Sequence, residues 1–311
     1  MRTTDKDILV VPHSYISRKD QESKIKKTAN EYERSMSIKE VVKCQTKAFL
    51  QSKSAVAVWI ILLCVTSLNF ILNCIYNVKI HYVTEMYDPI KTLTLSGWSN
   101  AGNIFMYAYP LILILPTAMV YYDERINGIS RYIQSRSGFK KYYYGNAIAV
   151  VIVTFFLFTV PFLLELLLSV ICFSSRSVAD PSGVQLFLSL PEEKENLLYQ
   201  LYVASPILYG FLMTIRFGLI SCVFAFFNYA FSTSPKIKYK MITMIPLLGI
   251  LYFLMIIDRF VPAKLSYLLV LPMFEYRNVS EGFYLAGYIG MLAIALVELI
   301  INEKRYYSLQ G

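Results

Sequence analysis

Histidine and the common catalytic motifs are nearly absent from this chain of 311 residues. The two histidines, His13 and His81, are isolated, so there is no HExxH pair to ligate zinc and no supply of imidazole bases. The sequence also lacks a GxSxG nucleophile motif and a GxxxxGK[ST] phosphate-binding loop. We therefore expect no enzymatic activity in this chain and no catalytic, cofactor-binding or metal-binding residues. Any energy that it uses has to come from a gradient or from a partner.

Charged residues are scarce as well, at 16% of the chain against about 25% in soluble globular proteins. The five cysteines include no CxxC pair and are odd in number, which argues against a disulfide framework. Hydrophobic residues make up 56% of the chain and occur in long blocks. This composition excludes a disordered chain and is typical of a polytopic membrane protein.

Six stretches are apolar and long enough to cross a bilayer core, which needs about 20 residues per helix. They are residues 55–76, 102–122, 145–173, 206–231, 241–257 and 282–301. We therefore predict an all-α membrane protein with a six-helix transmembrane domain over residues 54–301.

Basic residues are unequally divided between the segments that join these spans. Six spans place both termini on one side, which holds 22 of the 30 Lys and Arg residues, whereas the other side holds seven and Arg216 lies within a span. The positive-inside rule assigns the richer side to the cytoplasm. We thus predict a multi-pass protein of the cell (plasma) membrane with both termini cytoplasmic. The net charge of +9 is explained by orientation and by contact with membrane lipids, and needs no nucleic acid.

The two ends of the chain carry no predicted span. Residues 1–36 are of mixed charge and lack the apolar core of a signal peptide, so we predict a cytoplasmic N-terminal extension. Residues 302–311 form a short cytoplasmic tail in the same scheme.

A basic amphipathic helix is predicted over residues 37–53, directly before the first span. Ser37 and Glu40 fit the S-x-x-E pattern of a capping box at a helix start. Lys39, Lys43 and Lys47 recur at helical spacing on one face, and apolar residues gather on another. Such a helix suits the headgroup region of the cytoplasmic leaflet, although a solvated helix of a small soluble domain would have a similar pattern.

The loop over residues 123–142, between the second and third spans, has an internal order that topology alone does not require. Acidic residues including Glu124 come first, then Gly128, then a helix-compatible stretch, and then basic residues including Arg136 and Lys140. A basic loop that merely satisfies the positive-inside rule is the alternative interpretation.

This loop resembles that of the membrane-spanning permease of type 2 ABC transporters. The family pattern reads E-x-x-x-G-T-x-x-x-L-x-x-x-P-x-S-R-x-x-x-x-x-G-K, and Glu124, Gly128, Arg136 or Lys140, and Gly145 occur here in a similar order. Ile129 stands in place of the family's threonine, Asn146 in place of its lysine, and its proline is missing. An interfacial helix, six spans and cytoplasmic termini agree with the family over about residues 37–301.

The resemblance implies a coupling helix in this loop that docks into a separate ATPase subunit. ATP and Mg would be bound by that ATPase, and a second permease chain, identical or homologous, would complete the pathway. The substrate would be an amphipathic peptide, antibiotic or other drug, or lipid, moved outward. The residues expected to couple to the ATPase are Glu124, Gly128, Ile129, Tyr132, Ile133 and Arg136.

Two charges lie within predicted spans, where they are costly and usually face a bundle interior or a cavity. Glu165 in the third span and Arg216 in the fourth are expected at similar depth, in the outer half of the membrane. They line or gate a pathway in one interpretation. In the other they form an ion pair that holds two neighbouring helices together.

The longer outer segments, residues 174–205 and 258–281, are half apolar. The run 265–274 is too short to span the bilayer and too apolar for a solvated loop. In the resembled family a pair of short re-entrant helices occupies this interval, so the same is expected here.

Two other functional classes remain open. One is a gradient-driven secondary transporter or channel with Glu165 and Arg216 as its relay. The other is a membrane scaffold or sensor without transport activity.

Overall fold

A computed structural model describes most of the chain beyond residue 35. The ranges described are 36–78, 86, 88–97, 99–117, 120–173, 198–234, 237, 239–258, 260, 266–274 and 281–308. The predicted N-terminal extension therefore lies outside the described residues except for Met36. Residues 174–197 of the first outer segment, parts of the second outer segment and the last three residues of the tail also lie outside the described residues.

All regular structure in the described ranges is helical, without a strand. The helices are α1 (Ile38–Leu50), α2 (Lys53–Asn77), α3 (Asn100–Ile114), α4 (Val120–Ile126), α5 (Ile129–Ser137), α6 (Phe139–Cys172), α7 (Tyr199–Ala204), α8 (Pro206–Ser232), α9 (Ile245–Ile257), α10 (Tyr267–Val270) and α11 (Glu281–Ser308). Two short 3₁₀ helices, Thr94–Ser96 and Lys240–Met244, complete the set.

Five helical stretches in the described part are long and apolar enough to cross a membrane. They are Lys53–Asn77, Phe139–Cys172, Pro206–Ser232, Lys240–Ile257 and Tyr284–Tyr306. They match five of the six predicted spans and support a multi-pass membrane protein.

The second predicted span, 102–122, is not one continuous helix. Helix α3 has 15 residues, which extend about 22 Å and fall short of a hydrocarbon core of about 30 Å. Pro110 lies inside α3, and helical structure resumes in α4 at Val120. A hydropathy window does not detect this break, because the residues around it stay apolar.

Aromatic packing nevertheless places α3 in the middle of the helix bundle. The Tyr109 ring lies 5.4 Å from that of Phe217 in α8, and the Phe105 ring lies 5.4 Å from that of Phe162 in α6. The Tyr109 hydroxyl shares a 2.9 Å hydrogen bond with the Ser221 hydroxyl. The core of the protein is thus the junction of α3, α6 and α8.

Helix α1 begins with the predicted capping box. The Ser37 backbone N–H donates to the Glu40 carboxylate at 2.8 Å, and the Glu40 N–H donates to the Ser37 hydroxyl at 3.3 Å. The helix buries Val41 and Phe49 among its apolar residues, whereas Ile38 stays exposed. Val41 lies against Gly145 in α6, where even a Cβ atom would approach its Cγ1 to 2.7 Å. The predicted amphipathic helix is therefore present and is packed along α6.

Two ends of the bundle can be distinguished along α6. At its start, the Met36 N–H donates to the Arg136 carbonyl and Tyr306 of α11 donates to Gln134, so both ends of the described chain gather beside α5. We call this the α5 end. Residue 165 is 26 positions further along α6, which corresponds to about 39 Å. We call the region around it the opposite end.

The opposite end is closed by segments that lie between the long helices. The Met273 N–H donates to the Leu95 carbonyl at 2.7 Å, and the Tyr209 hydroxyl of α8 donates to the Met273 carbonyl. The predicted apolar run 265–274 is represented by residues 266–274, which contain the single turn α10 and are largely buried. They pack into the end of the bundle.

Candidate functional site

Helix α5 is a nine-residue helix between two glycines with positive φ. Gly128 precedes it in the left-handed conformation with φ of 74°, and Gly138 follows it with φ of 78°. The left-handed conformation at Gly128 costs other residues about 1–2 kcal/mol, because their Cβ approaches the carbonyl oxygen. The predicted glycine break at Gly128 thus sets the start of α5, and Gly138 caps both the end of α5 and the start of α6.

The outward surface of α5 and its entry is apolar with a basic margin. Ile126, Ile129 and Tyr132 are 63%, 48% and 59% exposed. The Arg136 guanidinium carbon lies 4.4 Å from the centre of the Tyr132 ring, in cation–π geometry that holds both side chains on the same surface. We call Ile126, Ile129, Tyr132 and Arg136 the α5 patch. Exposed apolar groups of this kind are typical of a surface that meets a partner.

Two of the residues predicted to couple to the ATPase point inward. Ile133 is half-buried and packs against the hydrophobic core. Glu124, only 7% exposed, accepts hydrogen bonds from the Tyr142 hydroxyl at 2.6 Å and the Asn146 amide at 3.4 Å. Burial raises the pKa of the Glu124 carboxyl, and these two hydrogen bonds oppose that rise. Their position indicates that Ile133 and Glu124 hold the α5 end together.

Polar contacts tie α4 to the loop between α8 and α9. Lys240, at the start of the fourth apolar stretch, forms a 2.6 Å ion pair with Asp123. The Arg125 guanidinium donates to the Ile237 carbonyl at 2.8 Å. Helix α4 is therefore bonded to the chain directly before α9.

Aromatic and polar contacts tie α5 to the end of α11. The Tyr306 ring stacks on that of Phe139 with centres 4.0 Å apart, and its hydroxyl donates to Gln134 at 3.2 Å. Tyr144 and Lys140 of α6 both bond to Glu303 of α11, at 2.6 and 3.4 Å. Helix α5 and the start of α6 are thus both bonded to the end of α11.

A second polar cluster surrounds Glu165 at the opposite end. Its Oε1 accepts from the Asn69 amide at 2.7 Å, the Thr94 N–H at 2.9 Å and the Thr94 hydroxyl at 2.8 Å. Glu165 is 3% exposed, and its Oε2 has no hydrogen-bond partner in the described part of the chain. One carboxylate oxygen thus joins α2, α6 and the segment that contains Thr94.

That segment, residues 88–97, is a feature that sequence reasoning missed. Ile90 through Ser96 are all buried, although they fall between the predicted spans 55–76 and 102–122. The Asn69 and Asn73 amides both donate to the Thr92 carbonyl at 2.8 Å. The alternation of Thr and Leu after the Asp88–Pro89 turn signal is the only trace of this packing in the sequence.

A glycine allows the segment to enter the bundle. A Cβ atom on Gly102 in α3 would lie 2.0 Å from the Thr94 carbonyl oxygen, so no larger residue fits without displacing backbone. The approach of 88–97 to α3 therefore depends on Gly102.

The structure does not bring Glu165 and Arg216 together. Glu165 is bonded to Asn69 and Thr94, as described above, and no ion pair joins it to Arg216. Arg216 instead lines a groove between α8 and α11 with Tyr284 and Tyr288. The proposed ion-pair staple is accordingly replaced by hydrogen bonds from neutral groups.

Within the described ranges, no three His, Cys, Asp or Glu side chains are grouped so as to hold a metal ion. The exposed α5 patch is the candidate contact surface, and the Glu165 cluster is a separate buried feature. Comparison with protein-family models, curated proteins and solved structures finds no match for this chain, so its function has to be inferred from these residues.

Proposed function

We propose that this chain is the permease subunit of an ATP-driven ABC exporter. In this proposal six membrane passes, including the broken stretch of residues 102–122, form half of a pathway for an amphipathic substrate. A second permease chain forms the other half, and a separate ATPase supplies the energy. The protein lies in the plasma membrane with the α5 end in the cytoplasm and α1 at the membrane surface.

The observation that carries the proposal is the construction of α5. This short helix begins and ends at glycines with positive φ, so it is set off as a separate element between α4 and α6. It exposes apolar side chains at one end of a bundle of membrane-length helices, continues through Gly138 into α6 and is hydrogen-bonded to α11. This is the arrangement that is needed to turn the movement of a docked protein into a movement within the membrane.

The docking is tested by replacing the exposed pair Ile129 and Tyr132. The variant I129S/Y132S removes two apolar anchors, which contribute on the order of 2–4 kcal/mol together at a buried interface. We expect binding to the ATPase to weaken about 30-fold or more. The measurement is co-purification of the tagged full chain with a P-loop ATPase, identified by mass spectrometry, in mild detergent.

The matched control is I129V/Y132F, which keeps an apolar surface of nearly the same shape and should retain the ATPase. Both positions are exposed, so both variants are expected to fold, and thermal unfolding checks this. The proposal fails if the natural chain captures no P-loop ATPase, or if I129S/Y132S captures as much ATPase as I129V/Y132F.

A gradient-driven transporter or channel is the second candidate. The observation in its favour is the buried Glu165, whose Oε2 has no partner in the described residues. Ionisable groups within membrane proteins often serve as proton or ion relays.

A further inference from the structure

A groove between α1 and α6 has a basic edge. Lys39, Lys43 and Lys47 line it from α1, on one turn after another over about 12 Å. All three are exposed. The only carboxylate of α1, Glu40, is engaged in the cap at Ser37 and does not line the groove. The edge therefore presents a row of positive charge.

The floor of the same groove is apolar. Val42 of α1 lies beside Ile148 and Ile152, which are one turn apart on α6 and belong to a membrane-length helix. Ile148 is exposed although it is part of that apolar stretch. Thr46 also lines the groove, and its buried hydroxyl has no hydrogen-bond partner within the described residues.

We infer that this groove is a binding site for one anionic phospholipid, with its phosphate on the α1 lysines and one acyl chain along Val42, Ile148 and Ile152. The inference rests on the proposed placement of α1 at the cytoplasmic membrane surface, and it is independent of any ATPase. An occupant must match a cationic row and an apolar strip that meet at the border between headgroups and hydrocarbon. A negatively charged headgroup on a hydrocarbon chain has both properties in that order.

Binding of a lipid here would have a mechanical consequence. Helix α1 packs along α6 and its start is bonded to Arg136 at the end of α5. A lipid that fills the space between α1 and α6 stabilises the position of α1. Through the hydrogen bond from Met36 to Arg136, it also stabilises the end of α5. The lipid is thus expected to act as a structural component of the α5 end.

The test measures the binding of two probes, phosphatidylglycerol and phosphatidylcholine with identical acyl chains, to the full chain by native mass spectrometry. We expect phosphatidylglycerol to saturate at one tightly held molecule per chain and phosphatidylcholine to bind more weakly. Each basic residue contributes about a fivefold preference for anionic lipid near a membrane surface. The variant K43Q/K47Q should therefore weaken phosphatidylglycerol binding about 10- to 30-fold and leave phosphatidylcholine unchanged.

The matched control is R131Q/K304Q, which removes the same charge from two exposed residues of the α5 end that do not line the groove. It should leave both lipids unchanged. A second variant, I152W, fills the floor and should reduce the retention of both lipids. Thermal unfolding in detergent confirms that each variant is folded.

Three results would overturn the inference. The first is non-saturating binding without preference for phosphatidylglycerol, and the second is an equal effect of K43Q/K47Q and R131Q/K304Q. The third is a protein or a second copy of the chain bound at the groove in place of lipid. Failure of ATPase capture with intact lipid selectivity would count against the proposed function alone.

Discussion

Replacement of Glu165 separates two roles of this buried carboxylate, the acceptance of hydrogen bonds and the provision of a negative charge. In E165A the Thr94 N–H and hydroxyl lose their common acceptor, whereas the Asn69 amide keeps its bond to the Thr92 carbonyl. A buried polar group without a partner costs about 1–3 kcal/mol, and loss of side-chain volume adds to this. We expect E165A to destabilise the opposite end by about 3–5 kcal/mol.

E165Q is the informative companion of E165A. A glutamine carbonyl takes the place of Oε1 and accepts the same three hydrogen bonds, and its amide takes the place of Oε2, which lacks a partner in the described structure. We therefore expect E165Q to cost about 1 kcal/mol. The two variants should then differ by about 2 kcal/mol or more.

The assay is amide hydrogen exchange over residues 88–97 in detergent or nanodiscs, with thermal unfolding as the global measure. The Thr94 amide reports most directly, because its proton is donated to Glu165. A difference of about 2 kcal/mol corresponds to roughly 30-fold faster exchange in E165A than in E165Q. Exchange at the α5 end should change little in either variant, since that end is about 39 Å away along α6.

Equal damage from E165Q and E165A would refute this reasoning. It would mean that the negative charge is required and not the acceptor geometry. Unchanged exchange in E165A would show that segment 88–97 is held by other contacts.

Two further predictions concern other positions. G102A should destabilise the protein by about 3 kcal/mol or more in thermal unfolding, because the new Cβ meets the Thr94 carbonyl. The control G249A has open space around the new Cβ and should stabilise the protein slightly. Equal effects of the two substitutions would contradict the close approach of Thr94 to Gly102. Burial raises the pKa of Glu124, so its protonated form favours the native state, and this stabilisation is lost as pH rises above the ordinary value of 4.5. E124Q should therefore flatten the thermal-stability profile on the alkaline side of pH 4.5, and an unchanged profile would contradict the assignment.

Local patterns in the sequence predicted the elements whose causes are local. Ser37 and Glu40 are three residues apart, and their mutual hydrogen bonds depend on the chain between them alone. The same is true of α5, whose start at Gly128 requires a backbone that glycine adopts readily. Five of the predicted spans are likewise present, because a long apolar stretch has few ways to satisfy its backbone except as a helix.

Long-range packing decided the rest. Asn69 and Thr94 reach Glu165 across 96 and 71 residues of chain, and no spacing rule connects such positions. The inward orientation of the Glu124 side chain likewise depends on α6, whose Tyr142 hydroxyl donates a hydrogen bond to it.

The sequence by itself thus determined the helices, their apolar character and the basic row of α1, since these follow from composition and from interactions within a few residues. Only the tertiary structure decided that segment 88–97 is buried, that Glu165 bonds to neutral donors and that α5 is bonded to the end of α11. The physical reason is that burial and hydrogen-bond partners in a bundle are chosen by which helices become neighbours, and that choice is made by packing of the whole chain.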